Sequence, residues 1–279
     1  MDKLDGKAAV VTGGSSGIGR ATALALAAEG ASVALGGRKA EALDEVTSKV
    51  SSNGGRALSQ VMDVRDEKQM AALIDAALQQ FGRLDVMVNN AAVSYPSGIA
   101  DGDAEQWREM LETNILGVLI GCREAVRAMK QNSERPAGHI VNISSVAARG
   151  VGAGGQVYSA TKHAVNAITD GLRQEVHDAG IRVTVVMPGG TLTNFARTFP
   201  QEVLNNAARG LGLDPEAEGI RQGQYLPPAG VERVLRERPG IFLSPDDIAG
   251  AVLYAVSAPP SVHVDEVLVR PAVGMTLGG

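Results

Sequence analysis

Four glycines fall within the eight residues Thr12-Gly13-Gly14-Ser15-Ser16-Gly17-Ile18-Gly19. They follow the apolar run Ala8-Ala9-Val10-Val11 and precede an alanine-rich stretch of helical character. A strand that turns into a helix through glycines constrains the fold more than any other feature of this chain. Glycine reaches positive φ and lets backbone approach whatever lies over the turn. The helix that follows presents free N–H groups and the positive end of its dipole at the same place. That combination suits an anion such as a pyrophosphate, in the first unit of an open α/β sheet. The spacing is Gly-x-x-x-Gly-x-Gly, not Gly-x-Gly-x-x-Gly. A tight turn without a ligand is the plain alternative, and placement between a strand and a helix counts against it.

The same alternation continues along the chain. Strands are predicted at 8–11, 32–35, 57–61, 84–88, 140–144 and 181–187, with helices at 18–29, 39–51, 67–81, 104–131 and 156–179 between them. In the fourth helix Trp107, Met110, Leu111, Asn114, Ile115 and Val118 recur at helical spacing. A repeated βα rhythm predicts an α/β fold, a doubly wound parallel sheet in a single domain. The rhythm breaks after Met187, because ten of the twelve prolines lie from Pro188 onward. Residues 190–244 are too long for a plain connection and carry the apolar anchors Val203, Leu204, Leu211, Leu213, Ile220 and Val231. They are expected to form a small helical substrate lobe, a disordered insertion being the alternative. Ser244 then caps a helix that opens at Pro245, and 264–269 forms a last strand.

Composition narrows the function. Aromatics are only 3% of a chain that is 44% apolar, so aliphatic side chains must fill the core, as in a helix-covered parallel sheet. The net charge of −5 argues against a nucleic-acid partner. No apolar run reaches the ~18 residues of a membrane span. The polar start Met1-Asp2-Lys3-Leu4-Asp5 and a lone cysteine, Cys122, predict a cytoplasmic protein without disulfides. The histidines His139, His163, His177 and His263 have no metal-ligand spacing, so no metal is expected.

Tyr158 and Lys162 lie four residues apart, on one face of a predicted helix. An ammonium about 4 Å from a phenol, at an effective dielectric near 20, is worth roughly 4 kcal/mol. That would draw the tyrosine pKa down toward neutrality and make a general acid or base. Such a pair arises by chance on many surface helices and needs company to carry weight.

The company is present and in order: the glycine loop, Asn89-Asn90-Ala91-Ala92, Asn114, Ser145, Tyr158-x-x-x-Lys162 and Pro188-Gly189. From about Leu4 to Arg270 the chain resembles the short-chain dehydrogenase/reductase family. The resemblance implies a Rossmann-type fold and a nicotinamide-dependent oxidoreductase. By resemblance the catalytic set is Asn114, Ser145, Tyr158 and Lys162. Tyr158 exchanges a proton with the substrate oxygen and Ser145 holds that oxygen. Lys162 binds the ribose and lowers the Tyr158 pKa. Asn114 anchors a water that links Lys162 to solvent. The cofactor set is Gly13, Ser15, Ser16, Gly17, Ile18, Gly19, Arg38, Asp63, Val64, Asn90, Ala91, Tyr158, Lys162, Pro188, Gly189, Thr191 and Thr193. Ala92 stands where the family more often has glycine.

The end of the second strand selects the cofactor. Gly37 occupies the position where an NAD enzyme carries an acid for the ribose hydroxyls, and Arg38 follows. A glycine leaves room for a 2′-phosphate and a guanidinium can bind it, which predicts NADP. Ser16 stands where many NADP-linked relatives place a second basic residue. The leading expectation is an NADP(H)-dependent interconversion of a ketone or aldehyde and an alcohol. An NAD-linked alcohol dehydrogenase and a catalytically silent dinucleotide sensor are the alternatives. The substrate walls are expected from 93–100, 147–156 and 190–244, with Tyr95, Phe195 and Phe199 as apolar contacts. Apolar residues on more than one face of the helices at 104–131 and 156–179 predict a homodimer or homotetramer.

Overall fold

The computed structural model describes residues 3–132, 137–223 and 229–273. Seven strands form one parallel sheet: β1 (Ala8–Thr12), β2 (Ser32–Gly37), β3 (Ala57–Val61), β4 (Val86–Asn89), β5 (Gly138–Ile143), β6 (Ile181–Pro188) and β7 (Glu266–Val269). Their order is β3-β2-β1-β4-β5-β6-β7. This is the doubly wound sheet that the βα rhythm predicts. The central strands are buried along their whole length and are filled mostly by Val, Ala, Ile and Met because both faces are covered.

The helices are α1 (Gly17–Ala28), α2 (Ala40–Ser52), α3 (Glu67–Phe81), α4 (Ala104–Leu111), α5 (Gly117–Met129), α6 (Gln156–Glu175), α7 (Gln201–Gly210), α8 (Ala229–Glu237) and α9 (Pro245–Val256). One core packs α3, α5 and α6 on a face of the sheet, around Met70, Leu73, Met87, Val118, Ile140 and Val165. The other packs α1, α2 and α9 on the opposite face, around Leu26, Val33, Leu43, Val88 and Ile248. Three of the helices, α3, α4 and α9, start at a residue whose side chain caps them. Asp66 accepts from the amides of Lys68 and Gln69, Asp103 from Glu105, and Ser244 forms a reciprocal capping box with Asp247 ahead of Pro245.

The predicted helix over 104–131 is divided. A π-helical turn, Glu112–Leu116, separates α4 from α5. The reason is tertiary. Asn114 exchanges two 2.9 Å hydrogen bonds with the backbone of Val93 and donates a third to Thr161 Oγ1 at 3.1 Å, and the widened turn carries the side chain inward. The predicted helix over 156–179 is likewise shorter, ending at Glu175.

Between Gly190 and Ser244 the chain forms a short 3₁₀ turn (Asn194–Thr198), α7 and α8. They enclose an apolar core of Leu204, Ala208, Leu213, Ile220, Val231, Val234 and Ile241. Entry and exit are clasped together, since Leu192 N donates to Leu243 O and Leu243 N donates to Gly190 O at 2.9 and 2.8 Å. On α5, Val118 and Ile120 are buried in the core. Leu116 and Leu119 are each 44% exposed, with Leu111 beside them at 48%. Cys122 is buried, and burial pushes its thiol up to about 12, which keeps it inert.

Candidate functional site

Strand order reverses on either side of β1, so the C-terminal ends of β1 and β4 part and leave a crevice. The crevice is tied beneath by Thr12 and Asn90. Thr12 Oγ1 accepts from the amides of Asn90 and Ala91 at 3.0 and 3.2 Å, and the Asn90 amide donates back to Thr12 O at 2.9 Å. Gly13 and Gly17 take φ of 65° and 53°, the left-handed region that favours glycine. A Cβ on Gly19 would run into Gly13 O and the Asn90 side chain, so α1 enters the turn as closely as backbone allows. Ser16 stands at the N-cap of α1 but its side chain makes no capping bond. The first turn of α1 is thus left without a side-chain cap from Ser16, and its Gly17 and Ile18 line the crevice.

The crevice opens into a cavity of about 1020 Å³ that runs from Arg38, Asp63 and Val64 past the glycine loop to Ser145, Tyr158 and Lys162, and on into the lobe. Gly13, Ser15, Ser16, Gly17, Ile18, Asn90, Ala91, Pro188, Gly189, Thr191 and Thr193 also line it. Gly19 and Asn114 do not. They stand behind the wall and shape it, Gly19 by its close packing and Asn114 through Val93 and Thr161. Thr193 closes over the glycine loop, with its Cγ2 3.1 Å from where a Gly17 Cβ would be.

At the outer end, a Cβ on Gly37 would meet Ser15 and Leu43 only at van der Waals distance. The missing side chain there is thus not required by packing. Arg38 is exposed, and its Nη1 lies 3.5 Å from Glu109 Oε1. Glu109 in turn accepts from the Tyr95 hydroxyl at 2.6 Å. Arg20 and Lys39 line the same end. Sequence reading missed them, although Arg20 directly follows the glycine loop. Asp63 is gripped by the Arg65 guanidinium, whose hydrogen bonds hold its carboxyl below the usual range.

At the inner end, Ser145 leaves β5, caps a short 3₁₀ turn by accepting from Ala147 N at 3.1 Å, and lies close enough to Tyr158 to lower its pKa. Lys162 is 2% exposed, donates to Ile143 O at 2.9 Å, and lies 5.7 Å from the centre of the Tyr158 ring. The electrostatics differ from the sequence expectation. Burial pushes the Tyr158 phenol up to about 12, against a lowering by Ser145, and burial pulls Lys162 down to about 8. Desolvation outweighs Coulomb attraction because the ammonium is turned to a backbone carbonyl and not to the phenolate. The walls also differ. The glycine-rich segment 147–155 and Tyr95 do not line the cavity. Phe195, Phe199, Leu204, Leu211, Ile220, Val231 and Phe242 do, most of them brought together only by the lobe's own packing.

Comparison with known proteins places this arrangement. The model of the short chain dehydrogenase family matches residues 7–203. The chain is 38% identical over 268 residues to glycine betaine reductase of Emericella nidulans; the match covers 96% of this chain, which spans 19% of that relative's length. It is 34% identical over 271 residues to an uncharacterized oxidoreductase of Staphylococcus aureus, covering 97% of this chain and all of that one. A short chain dehydrogenase from Burkholderia cenocepacia, solved in complex with NADP, superposes with a TM-score of 0.77 at 28% identity, covering 98% of this chain and 99% of that one.

Lys162 carries a consequence for stability. A lysine whose folded pKa lies near 8 and whose unfolded value is near 10.5 makes the wild type gain stability as pH rises between those values. Lys162→Met removes that gain. The variant is expected to be the more stable of the two at pH 7, with its advantage shrinking by about 2 kcal/mol by pH 9.5. Urea denaturation at both pH values checks this; stability curves that run parallel would show that Lys162 is not desolvated.

Proposed function

This chain belongs to the short-chain dehydrogenase/reductase family, and from that premise we propose that it is an NADP(H)-dependent oxidoreductase interconverting a ketone or aldehyde and an alcohol. The observation that carries the reading is the single cavity that joins a dinucleotide-sized crevice to Ser145, Tyr158 and Lys162. The residues present fit the cofactor. Gly13 and Gly17 supply the turn, Gly19 the close approach of α1, and the first turn of α1, uncapped by Ser16, would take the pyrophosphate. Arg38, assisted by Arg20 and Lys39, would take the 2′-phosphate. Asp63 and Val64 would flank the adenine, Asn90 and Ala91 the adjoining ribose, and Pro188, Gly189, Thr191 and Thr193 the nicotinamide. When bound, NADPH supplies the hydride, two electrons with the hydrogen, that makes the carbonyl carbon a carbinol and leaves NADP.

The chain's own residues do the rest. Ser145 holds the substrate oxygen by a hydrogen bond. Tyr158, protonated at neutral pH, gives that oxygen its proton. Lys162, charged below about pH 8, would hold the ribose by hydrogen bonds. Asn114 positions α6 through Thr161, whose Oγ1 donates to Tyr158 O at 2.7 Å. One lone pair of Asn114 Oδ1 is left to anchor a water relay.

Tyr158→Phe is expected to lower kcat at least ~100-fold while NADPH binding is kept. Steady-state oxidation of NADPH over a carbonyl panel checks it, and near-normal turnover would remove Tyr158 from the role. Arg38→Asp is expected to move cofactor preference toward NAD by about 2–4 kcal/mol, read as the ratio of kcat/KM values. An unchanged ratio would show that Arg38 serves only its ion pair with Glu109.

Assembly belongs to the same reading. Leu111, Leu116 and Leu119 leave an apolar stripe along α4, the π turn and α5, and Ala160 and Ala167 leave a small-residue face on α6. Neither is covered by the lobe, which sits at the strands' C-terminal ends. A homodimer or homotetramer paired through these helices follows. Light scattering that gave the 28.8 kDa monomer mass at micromolar concentration would contradict it. No helix among the described residues is long and apolar enough to cross a membrane. With a buried, unreactive Cys122, this supports a cytoplasmic enzyme.

A further inference from the structure

The part of the cavity beyond Tyr158 has an uneven chemistry. Its wall is hydrocarbon: Leu204, Ala208, Leu211, Ile220, Val231 and Phe242. Phe195 and Phe199 join it to Tyr158, with ring centres 5.5 Å from Tyr158 to Phe195 and 6.2 Å from Phe195 to Phe199. The lobe contributes one charge to the lining of the cavity. Of the lobe's charged residues that are described, only Arg197 lines the cavity. The acidic residue Glu218 is spent on Arg233 at 3.1 Å. Among the described residues Arg197 makes one hydrogen bond, from Nη1 to Asn194 O at 3.1 Å, and no carboxylate lies within ion-pair distance. Its nearest anionic influence is indirect. Arg197 acts electrostatically on Tyr95, whose hydroxyl is bonded to Glu109.

A half-buried guanidinium against an apolar wall is costly unless something pairs with it. Its planar fork matches a carboxylate in two parallel hydrogen bonds. We propose that Arg197 is an anion anchor of the substrate pocket, and that the substrate is an oxo acid with an apolar body, reduced to the hydroxy acid. Three contacts then fix it: the carbonyl oxygen at Ser145 and Tyr158, the carboxylate at Arg197, and the hydrocarbon body in the lobe. This rests on the carbonyl-reductase reading above.

The test compares medium-chain aliphatic oxo acids with the methyl esters of the same acids. Binding to the NADP-saturated protein is measured by calorimetry, and turnover with NADPH separately. At least one acid is expected to bind about tenfold or more tighter than its ester, the size of a charge-assisted pair. Arg197→Leu should bring the acid down to the ester's level, and Arg197→Lys should restore part of the difference. A melting curve and an NADP titration establish that each variant is folded. Equal binding of acid and ester by the wild type, or binding of no acid, overturns the proposal. So does an Arg197→Leu variant that weakens NADP while keeping the acid preference, since Arg197 would then serve the cofactor's phosphates. Failure of the reductase reading is distinct: neither acids nor esters turn over, while acid binding still reports on Arg197.

Discussion

The close approach of α1 to the β1 turn is the contact on which the rest of the site depends. Gly19 has no room for a side chain because Gly13 O and the Asn90 amide occupy that space. Asn90 in turn binds Thr12, so one cluster of short contacts sets the spacing of β1, β4 and the first turn of α1 together. Loosening any of the three would move the first turn of α1 away from where a pyrophosphate must lie. Distance from this cluster orders the remaining features: Arg38 and Asp63 at one end of the cavity, Tyr158 and Lys162 at the other.

The inner end shows what that order costs. Lys162 is held almost fully out of water on a single carbonyl, a poor bargain for stability and a good one for chemistry. A buried ammonium that loses its proton near pH 8 responds strongly to any nearby anion or polar ligand. A phenol raised to about 12 is a reliable proton donor at neutral pH. The pair thus arrives at its role by opposed shifts of the two groups and not by the direct attraction their spacing suggests.

Much of this was legible in the sequence. The strand–helix rhythm located the sheet because its central strands are buried on both faces and must be mostly apolar. The glycine turn, Asn90, Ser145, Tyr158 and Lys162 were legible because each stands at the C-terminal end of a strand or on the helix beside it. What was hidden depends on long-range contact. The π turn at Glu112–Leu116 arises from bonds between Asn114 and Val93, twenty-one residues apart. The direction of the Tyr158 shift depends on burial, which spacing does not reveal. The lobe wall pairs Phe242 with Leu204 and Val231 through a clasp formed only in three dimensions. Residues 147–155, expected among the substrate walls, do not reach the cavity. Residues 149–153 turn to solvent, Val151 at 59% exposure, while Ala148 is buried.

The central claim is that the crevice between β1 and β4 is a dinucleotide site set for a 2′-phosphate. Equilibrium titration of the wild-type protein with NADPH and with NADH, followed by nucleotide fluorescence at fixed ionic strength, tests it most directly. The account predicts saturation at one NADPH per chain, with an affinity at least about tenfold above that for NADH. Equal or tighter binding of NADH, or no saturable binding of either, would contradict it.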